Sequence, residues 1–337
     1  MKFLRFLLFP FAIIYDVVTS IRNFFFDIGV FKQTSFKIPV IVVGNLSVGG
    51  TGKTPQIEYL IRLLKDQFKT SVLSRGYKRK TAGFVLINDT HSAEDVGDEP
   101  LQYYKKFKNI NVAVDANRVA GITKLISGKS TDVVLLDDAF QHRKVKGSFY
   151  ILLTKYDDLF TADFLLPTGN LRESRRGAIR ADVILVTKCP TNLSEKSKNK
   201  ISNKLKKHNK DVFFTSISYD DTTSGKESIL VDDLKNYDVL LITGIANPTP
   251  LLSFLKDKNV NFKHLKYSDH HHFSDKEIQG IKSEYSALKS SKKLILTTEK
   301  DYVRLESKLK ELSYLGIQTS FLEQQEVFDA IIKSHIQ

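Results

Sequence analysis

The chain has 337 residues, with 51 Lys+Arg against 38 Asp+Glu, a formal net charge of +13 and a 42% hydrophobic content. That balance excludes wholesale disorder, and the length fits two domains or one large α/β domain with additions. The single cysteine, Cys189, excludes an internal disulfide framework and a multi-cysteine metal site, while the positive excess points to nucleic acid, phosphorylated small molecules or an anionic membrane face.

The first thirty residues stand apart. Eight of the 23 phenylalanines fall within residues 3–31. The apolar run 6–14 is interrupted by Pro10 and followed by Asp16, short of the ~20 apolar residues of a spanning helix. Lys2 and Arg5 ahead of the run, with Val18-Thr19-Ser20 behind it, also raise a secretory signal, but a nucleotide motif further on belongs in the cytosol. The expectation is therefore an amphipathic helix resting on a membrane, in preference to one packed on the protein's own core. Its Phe and Leu residues would point inward, with Lys2, Arg5, Arg22 and Lys32 near anionic headgroups.

An alternating α/β rhythm follows. Residues 37–43 form an apolar, β-branched run ending at Gly44, which reads as a buried parallel strand, and a helical pattern covers 55–65. Further strands are predicted at 71–73, 84–87, 111–114, 133–136, 150–153 and 183–186, with a helix over 117–126. The polar, lysine-rich stretch 191–210 reads as an exposed helix or a junction. Strands resume at 212–216, 239–243, 262–266 and 294–298. This order predicts a mostly parallel sheet with helices on both faces, joined to a second, smaller α/β unit. The predicted organisation is an N-terminal interfacial helix (1–32), a nucleotide-binding domain (33–200) and a smaller C-terminal unit closing the site (201–337).

The strongest signal is Ser47-Val48-Gly49-Gly50-Thr51-Gly52-Lys53-Thr54, placed between a strand and a helix. It matches the phosphate-loop pattern except that serine replaces the first glycine. The glycines admit a phosphate close to the backbone, and successive N–H groups at a helix N-terminus hold anionic oxygens. Lys53 reaches the β- and γ-phosphates, the Thr54 hydroxyl suits Mg²⁺, and Pro55 fits the first helical turn. Val133-Val134-Leu135-Leu136-Asp137-Asp138 has the form of a Walker B strand, one aspartate of which would face Mg²⁺ opposite Thr54. The strand ending Thr187-Lys188-Cys189-Pro190 lacks the aspartate that pairs with guanine, which favours ATP.

The string from Gly44 through Pro55 resembles the phosphate loop of the tetraacyldisaccharide 4′-kinases, the lipid A 4′-kinases of Gram-negative bacteria. Other blocks resemble the same family in the same order: Ser74-Arg75-Gly76-Tyr77, Val96-Gly97-Asp98-Glu99-Pro100 and Leu136-Asp137-Asp138-Ala139-Phe140-Gln141-His142-Arg143. Leu166-Pro167-Thr168-Gly169-Asn170-Leu171-Arg172-Glu173, Gly244-Ile245-Ala246-Asn247-Pro248, Asp269-His270-His271 and Thr297-Thr298-Glu299-Lys300-Asp301 continue the series. The resemblance covers residues 12–305, and the serine at the first loop position is normal for the family.

The resemblance implies a P-loop kinase that moves the γ-phosphate of ATP to the 4′-hydroxyl of a tetraacyldisaccharide 1-phosphate, at the cytoplasmic face of the inner membrane. It marks Asp98 as base with His270 as its partner, an acid–base pair in which each group fixes the other's geometry. It places Arg118, Gln141 and Arg172 at the substrate, and Asp137 or Asp138 on Mg²⁺ with Thr54. Glu173 is left between assisting Mg²⁺ and positioning Arg172, and the block 297–301 between closing over adenine and capping a helix. The implied partners are the acylated substrate and membrane lipids, with no nucleic acid and no obligatory protein partner. The three adjacent histidines 270–272 point in different directions, against a transition-metal site. The competing reading is a membrane-associated P-loop ATPase acting as a nucleotide switch, which needs no acceptor site.

Overall fold

The computed structural model describes residues 5–205, 208 and 210–336. Lys2, and Lys206, Lys207 and Asn209 of the lysine-rich stretch, lie outside the described residues. The N-terminal helix α1 runs Phe9–Asp27. Pro10 sits in its first turn, where a missing N–H is harmless, so the proline starts the helix instead of breaking it. The result corrects the sequence estimate: by length and composition this 19-residue helix is apolar enough to cross a membrane.

One face of α1 is bare and the other is tied down. Phe11, Ile14 and Val18 are 60%, 61% and 60% exposed. On the opposite side Tyr15 donates to the Arg172 carbonyl at 2.8 Å, Asn23 donates to Glu173 at 2.9 Å, and Asp27 pairs with Arg143 at 2.8 Å. Just ahead of the helix, Arg5 donates to the carbonyl of Pro167 at 3.0 Å. These ties lay the helix along the protein with its apolar side outward.

A nine-stranded sheet forms the body, in the order β14-β8-β7-β6-β1-β5-β2-β4-β3. Its strands are β1 (Val40–Asn45), β2 (Thr70–Ser74), β3 (Val85–Leu86), β4 (Asn111–Val114), β5 (Val133–Asp137), β6 (Phe149–Lys155), β7 (Val183–Thr187), β8 (Asp211–Tyr219) and β14 (Ile317–Phe321). All pairings are parallel except those of the two edge strands, β3 and β14. β1, β5 and β7 are buried along their whole length, as near-continuous Val/Ile/Leu runs must be when helices cover both faces. On one face lie Ile57, Leu60, Ile61 and Leu64 of α2 (Lys53–Leu64), all fully buried. Each contributes about 1.5–3 kcal/mol of apolar burial. Phe328 and Ile332 of the C-terminal helix join the same core.

The second sheet has five strands in the order β11-β10-β12-β13-β9: β9 (Ser224–Gly225), β10 (Asp238–Thr243), β11 (Asn261–Lys266), β12 (Lys293–Thr298) and β13 (Leu312–Leu315). It is parallel except for β9. The expected boundary at residue 201 therefore does not follow the sheets. β8 pairs with β7 in the first sheet, and the chain returns from the second sheet to add β14 beside β8. Between β7 and β8 the polar stretch forms α6 (Glu195–Leu205).

In the first sheet the chain steps from β5 across β1 to β6, so the strand order reverses around β1. Ligands of open α/β sheets gather at the carboxyl ends of strands at such a point, and the phosphate loop leaves from there.

Candidate active site

The loop between β1 and α2 is held by its neighbours. Gly52 is the residue before the first helical turn and has φ +86°, a conformation that excludes side chains at little cost only for glycine. Thr187 at the end of β7 donates to the Thr51 carbonyl at 2.7 Å, and the Val48 N–H donates to Asn170 at 2.7 Å. At Gly44 a Cβ would stand 2.6 Å from the Cβ of Phe140, so only glycine lets the segment after β5 lie against β1. Lys53 Nζ lies 3.6 Å from Asp138 and 3.5 Å from Asn45 Oδ1. Gly50 approaches Lys188, whose ammonium is disfavoured by burial and then by Lys155 and Lys53. Lys188 thus keeps its charge among like charges, the electrostatic form of an anion site.

Asp137 and Asp138 have different surroundings. Asp137 is 1% exposed; Ser74 donates to its Oδ2 at 3.3 Å, and its Oδ1 has no hydrogen-bond partner among the described residues. Burial, then repulsion from Glu99 and Asp138, pushes its carboxyl up to about 7. Asp138, at φ +47°, accepts both of its bonds from Arg172 at 2.9 and 3.0 Å. Burial opposes its charge, but Lys53 and Arg172 outweigh that and hold its carboxyl below the usual range. The Thr54 hydroxyl donates to Glu99 at 3.3 Å. An orphaned, buried carboxylate oxygen close to further oxygen donors fits a hard divalent cation. Among the described residues no group of three or more His, Cys, Asp or Glu side chains forms a cage by itself, and Mg²⁺ at phosphate sites needs only one or two carboxylates.

The second sheet delivers His270. Its φ of +58° and the bond from its N–H to the Gly244 carbonyl at 3.2 Å place it at the carboxyl end of β10. There its Nδ1 lies 2.9 Å from Asp98 Oδ2, so residues 172 positions apart form a pair. Asp98 opens helix α4 (Asp98–Lys106). Two cations from the helix following β12, α9 (Glu299–Leu305), flank the pair. Arg304 Nε donates to Asp98 Oδ1 at 2.6 Å, with a second contact to Oδ2, and Lys300 Nζ lies 3.1 Å from His270 Nε2. Arg304 Nη2 also lies 2.7 Å from His270 Nδ1, so donor cations face both ring nitrogens of the histidine. Burial works against the Asp98 charge, but His270 and Arg304 prevail and hold its carboxyl below the usual range.

Arg118 is 4% exposed; its Nη1 donates to the Ala116 carbonyl at 3.1 Å, and its Nε has no hydrogen-bond partner among the described residues. Burial, then Arg75, lowers it to about 10, while Asp137 and Asp138 pull the other way. His142 beside it is lowered to about 4, by burial and then by Arg118, Lys144, Arg75 and Arg22. Arg118, Arg75, Lys144 and Arg22 thus gather positive charge around His142, with Asp115, Asp137 and Asp138 opposing it at Arg118.

A sequence profile described as LpxK, tetraacyldisaccharide-1-P 4′-kinase, matches residues 4–337. The tetraacyldisaccharide 4′-kinase of Flavobacterium johnsoniae is 55% identical over 341 residues, spanning 100% of this chain and 98% of its own. That of Flavobacterium psychrophilum is 54% identical, with 100% and 98% covered. The chain belongs to the tetraacyldisaccharide-1-phosphate 4′-kinase family. In three dimensions it is similar to LpxK from Aquifex aeolicus, crystallised in complex with ATP, with a TM-score of 0.81 and 30% identity over 99% of this chain and 100% of that one.

Against this kinase fold the expected site residues sort clearly. Ser47 to Thr54 form the phosphate loop, Lys53 faces Asp138, and Asp98 meets His270. Of the two readings of Glu173 the geometry favours positioning: it is fully buried and accepts from Asn23, Gln141 and Arg180 at 2.9, 3.0 and 2.7 Å. With its oxygens so engaged it anchors the segment carrying Arg172 and is not free to hold a metal. Gln141 donates its amide hydrogens to the Asn45 carbonyl and Glu173, and Arg172 donates to Asp138. Thr298 caps α9, and Asp301 accepts from the Gly244 N–H at 2.9 Å, so that block braces the His270 loop. The sequence assigns no role to Glu99, Lys188, Lys300 or Arg304, and Arg304 lies in none of the motifs that pointed to the site.

Proposed function

We propose that this protein phosphorylates the 4′-hydroxyl of a tetraacyldisaccharide 1-phosphate with the γ-phosphate of ATP, in the synthesis of lipid A. The observation that carries this reading is the Asp98–His270 pair, in which His270 from the second sheet meets Asp98, the neighbour of the Glu99 that contacts Thr54 of the phosphate loop. A nucleotide switch has no use for it. In the proposed mechanism the backbone N–H groups of Gly49, Gly50 and the helix start at 52–54, with the ammoniums of Lys53 and Lys188, hold the triphosphate. Thr54 and Asp137 would hold Mg²⁺, which supplies charge neutralisation on the phosphates when bound. Asp138 and Arg172 fix the position of Lys53. Asp98, oriented by His270 and Arg304, receives the proton of the acceptor hydroxyl, and the cations around Arg118 suit an anionic substrate group.

The exposed face of α1 rests on the cytoplasmic side of the inner membrane. The acyl chains of the substrate remain in the bilayer, so an enzyme lying on that surface meets its acceptor without extracting it. The test is transfer of radiolabel from the γ-phosphate of ATP to the disaccharide lipid in detergent micelles. Labelled lipid that vanishes in Lys53→Ala supports the kinase; ATP hydrolysis with no labelled lipid supports the switch.

A further inference from the structure

Behind the site, between α2, α4 and α9, three charges share the interior. Lys106 Nζ lies 2.7 Å from Glu58 Oε2 and 2.7 Å from Glu299 Oε2. Glu58 is 1% exposed and Glu299 5% exposed. Gln102 donates to the other oxygen of Glu58 at 2.7 Å, and Arg62 reaches Oε2 at 3.2 Å. Lys106 and Glu299 line a cleft of about 360 Å³ together with Lys105, Tyr302 and Glu306. Buried ion pairs are poor stabilisers, because apolar replacements of the same shape do as well or better. A triad kept at this place calls for a role in geometry.

The helices it joins are those that build the site. α2 begins at Lys53 and Thr54, α4 at Asp98 and Glu99, and α9 carries Lys300 and Arg304 beside Glu299. Glu58 is four residues past Thr54 and Lys106 eight past Asp98, so the triad stands about 6–12 Å behind the reacting groups along the helix axes. We propose that Lys106 is a positioning residue for phosphoryl transfer, holding α9 with its Arg304 and Lys300 in register with the phosphate loop and Asp98 through simultaneous ion pairs to Glu58 and Glu299. The proposal rests on the kinase reading.

It carries a pH dependence. Burial, then Glu58, pushes the Glu299 carboxyl up to about 7, with Lys106 opposing and Asp220 adding to the rise. Burial disfavours the Lys106 ammonium, but Glu58 and Glu299 outweigh it. The charged or titratable groups facing Glu299 are Glu58 from α2, Lys106 from α4, Asp220 after β8 and Tyr314 from β13; Arg62 bears on Glu58. Protonation of Glu299 removes one of the two ion pairs, so positioning weakens as pH falls through neutrality.

The test compares full-length wild type, Lys106→Met, Lys106→Arg and Glu299→Gln in lipid phosphorylation across the neutral range, with ATP binding and thermal melting measured alongside. A displacement of ~1 Å at reacting groups costs up to ~100-fold, so Lys106→Met is expected to lose about 10–100-fold in kcat with the KM for ATP retained. Lys106→Arg recovers most of that loss, and Glu299→Gln lacks the wild-type rise in kcat near neutrality. Wild-type kcat in a folded Lys106→Met overturns the proposal. So does a loss that Lys106→Arg leaves unrescued and that parallels lost ATP binding. If Lys106→Met does not fold, the Glu299→Gln profile decides: a profile unchanged from wild type overturns the proposal. A wild-type enzyme that labels no lipid refutes the kinase reading instead, and the two failures are distinct in one assay.

Discussion

Glu173 offers a decisive separation between a metal ligand and an anchor. Its carboxylate is fully buried and receives bonds from Arg180, Asn23 and Gln141. A hydrogen bond to a charged group contributes about 1.5–3 kcal/mol and a neutral one about 1 kcal/mol. Glu173→Ala also leaves Arg180, with a side chain only 14% exposed, short of its anion. Breaking a buried pair in this way costs about 3–5 kcal/mol. The loss should appear in urea denaturation as a lower midpoint, and Glu173→Gln should fall between alanine and wild type because it keeps shape but not charge. The Mg²⁺ concentration for half-maximal lipid phosphorylation should stay where it is in Glu173→Gln. Wild-type stability combined with a ~10–100-fold higher Mg²⁺ requirement, the scale of a lost ligand contact, would refute the anchoring role.

Arg304→Ala removes a cation that holds Asp98 ionised, so the Asp98 pKa should rise and the acid limb of kcat against pH should move to higher pH; an unmoved limb contradicts the contact. The sign in stability agrees: a depressed carboxyl stabilises above its unfolded pKa and loses that contribution as pH falls through the folded value, so Arg304→Ala should flatten the acid dependence of the melting temperature. Gly44→Ala forces its new Cβ against Phe140 and should cost about 1–3 kcal/mol in thermal unfolding, with reduced activity because Asp137 and Asp138 precede that phenylalanine. Replacing Phe11, Ile14 and Val18 together with serine should weaken flotation with anionic vesicles while leaving the melting temperature close to wild type, since all three are exposed.

Much of the first sheet was legible because its central strands are uninterrupted apolar runs that end in glycine or aspartate. The phosphate loop was legible because its glycines and Lys53 have few structural alternatives. What local pattern could not show was which sheet a strand joins. The run at 212–216 has the same character whether it pairs with β7 or with β10, and β14 returns to the first sheet through a pairing distant in sequence. Pro10 read as a break because its position within the helix depends on where the helix starts, and the N-terminal turn accepts proline freely. The Asp98–His270 contact came only from resemblance, as a turn aspartate and a histidine run carry no signal of meeting. Arg304 and Lys106 are cations on helices with many solvent-facing cations, and only folding reveals that these two are enclosed. Glu173 stayed between metal ligand and positioning residue because its type allows both; its three partners come from three separate parts of the chain.

The most direct test of the central claim is whether the Asp98–His270 pair serves the transfer of phosphate to lipid. Asp98→Ala, His270→Ala and the double variant should be assayed for labelled lipid at saturating ATP and Mg²⁺. Both single variants should lose turnover strongly while still binding ATP, and the double should lose less than the product of the two, because groups acting as a unit are not additive. Full multiplicativity, or wild-type turnover in either single variant, would contradict a joint role for the two residues in activating the acceptor.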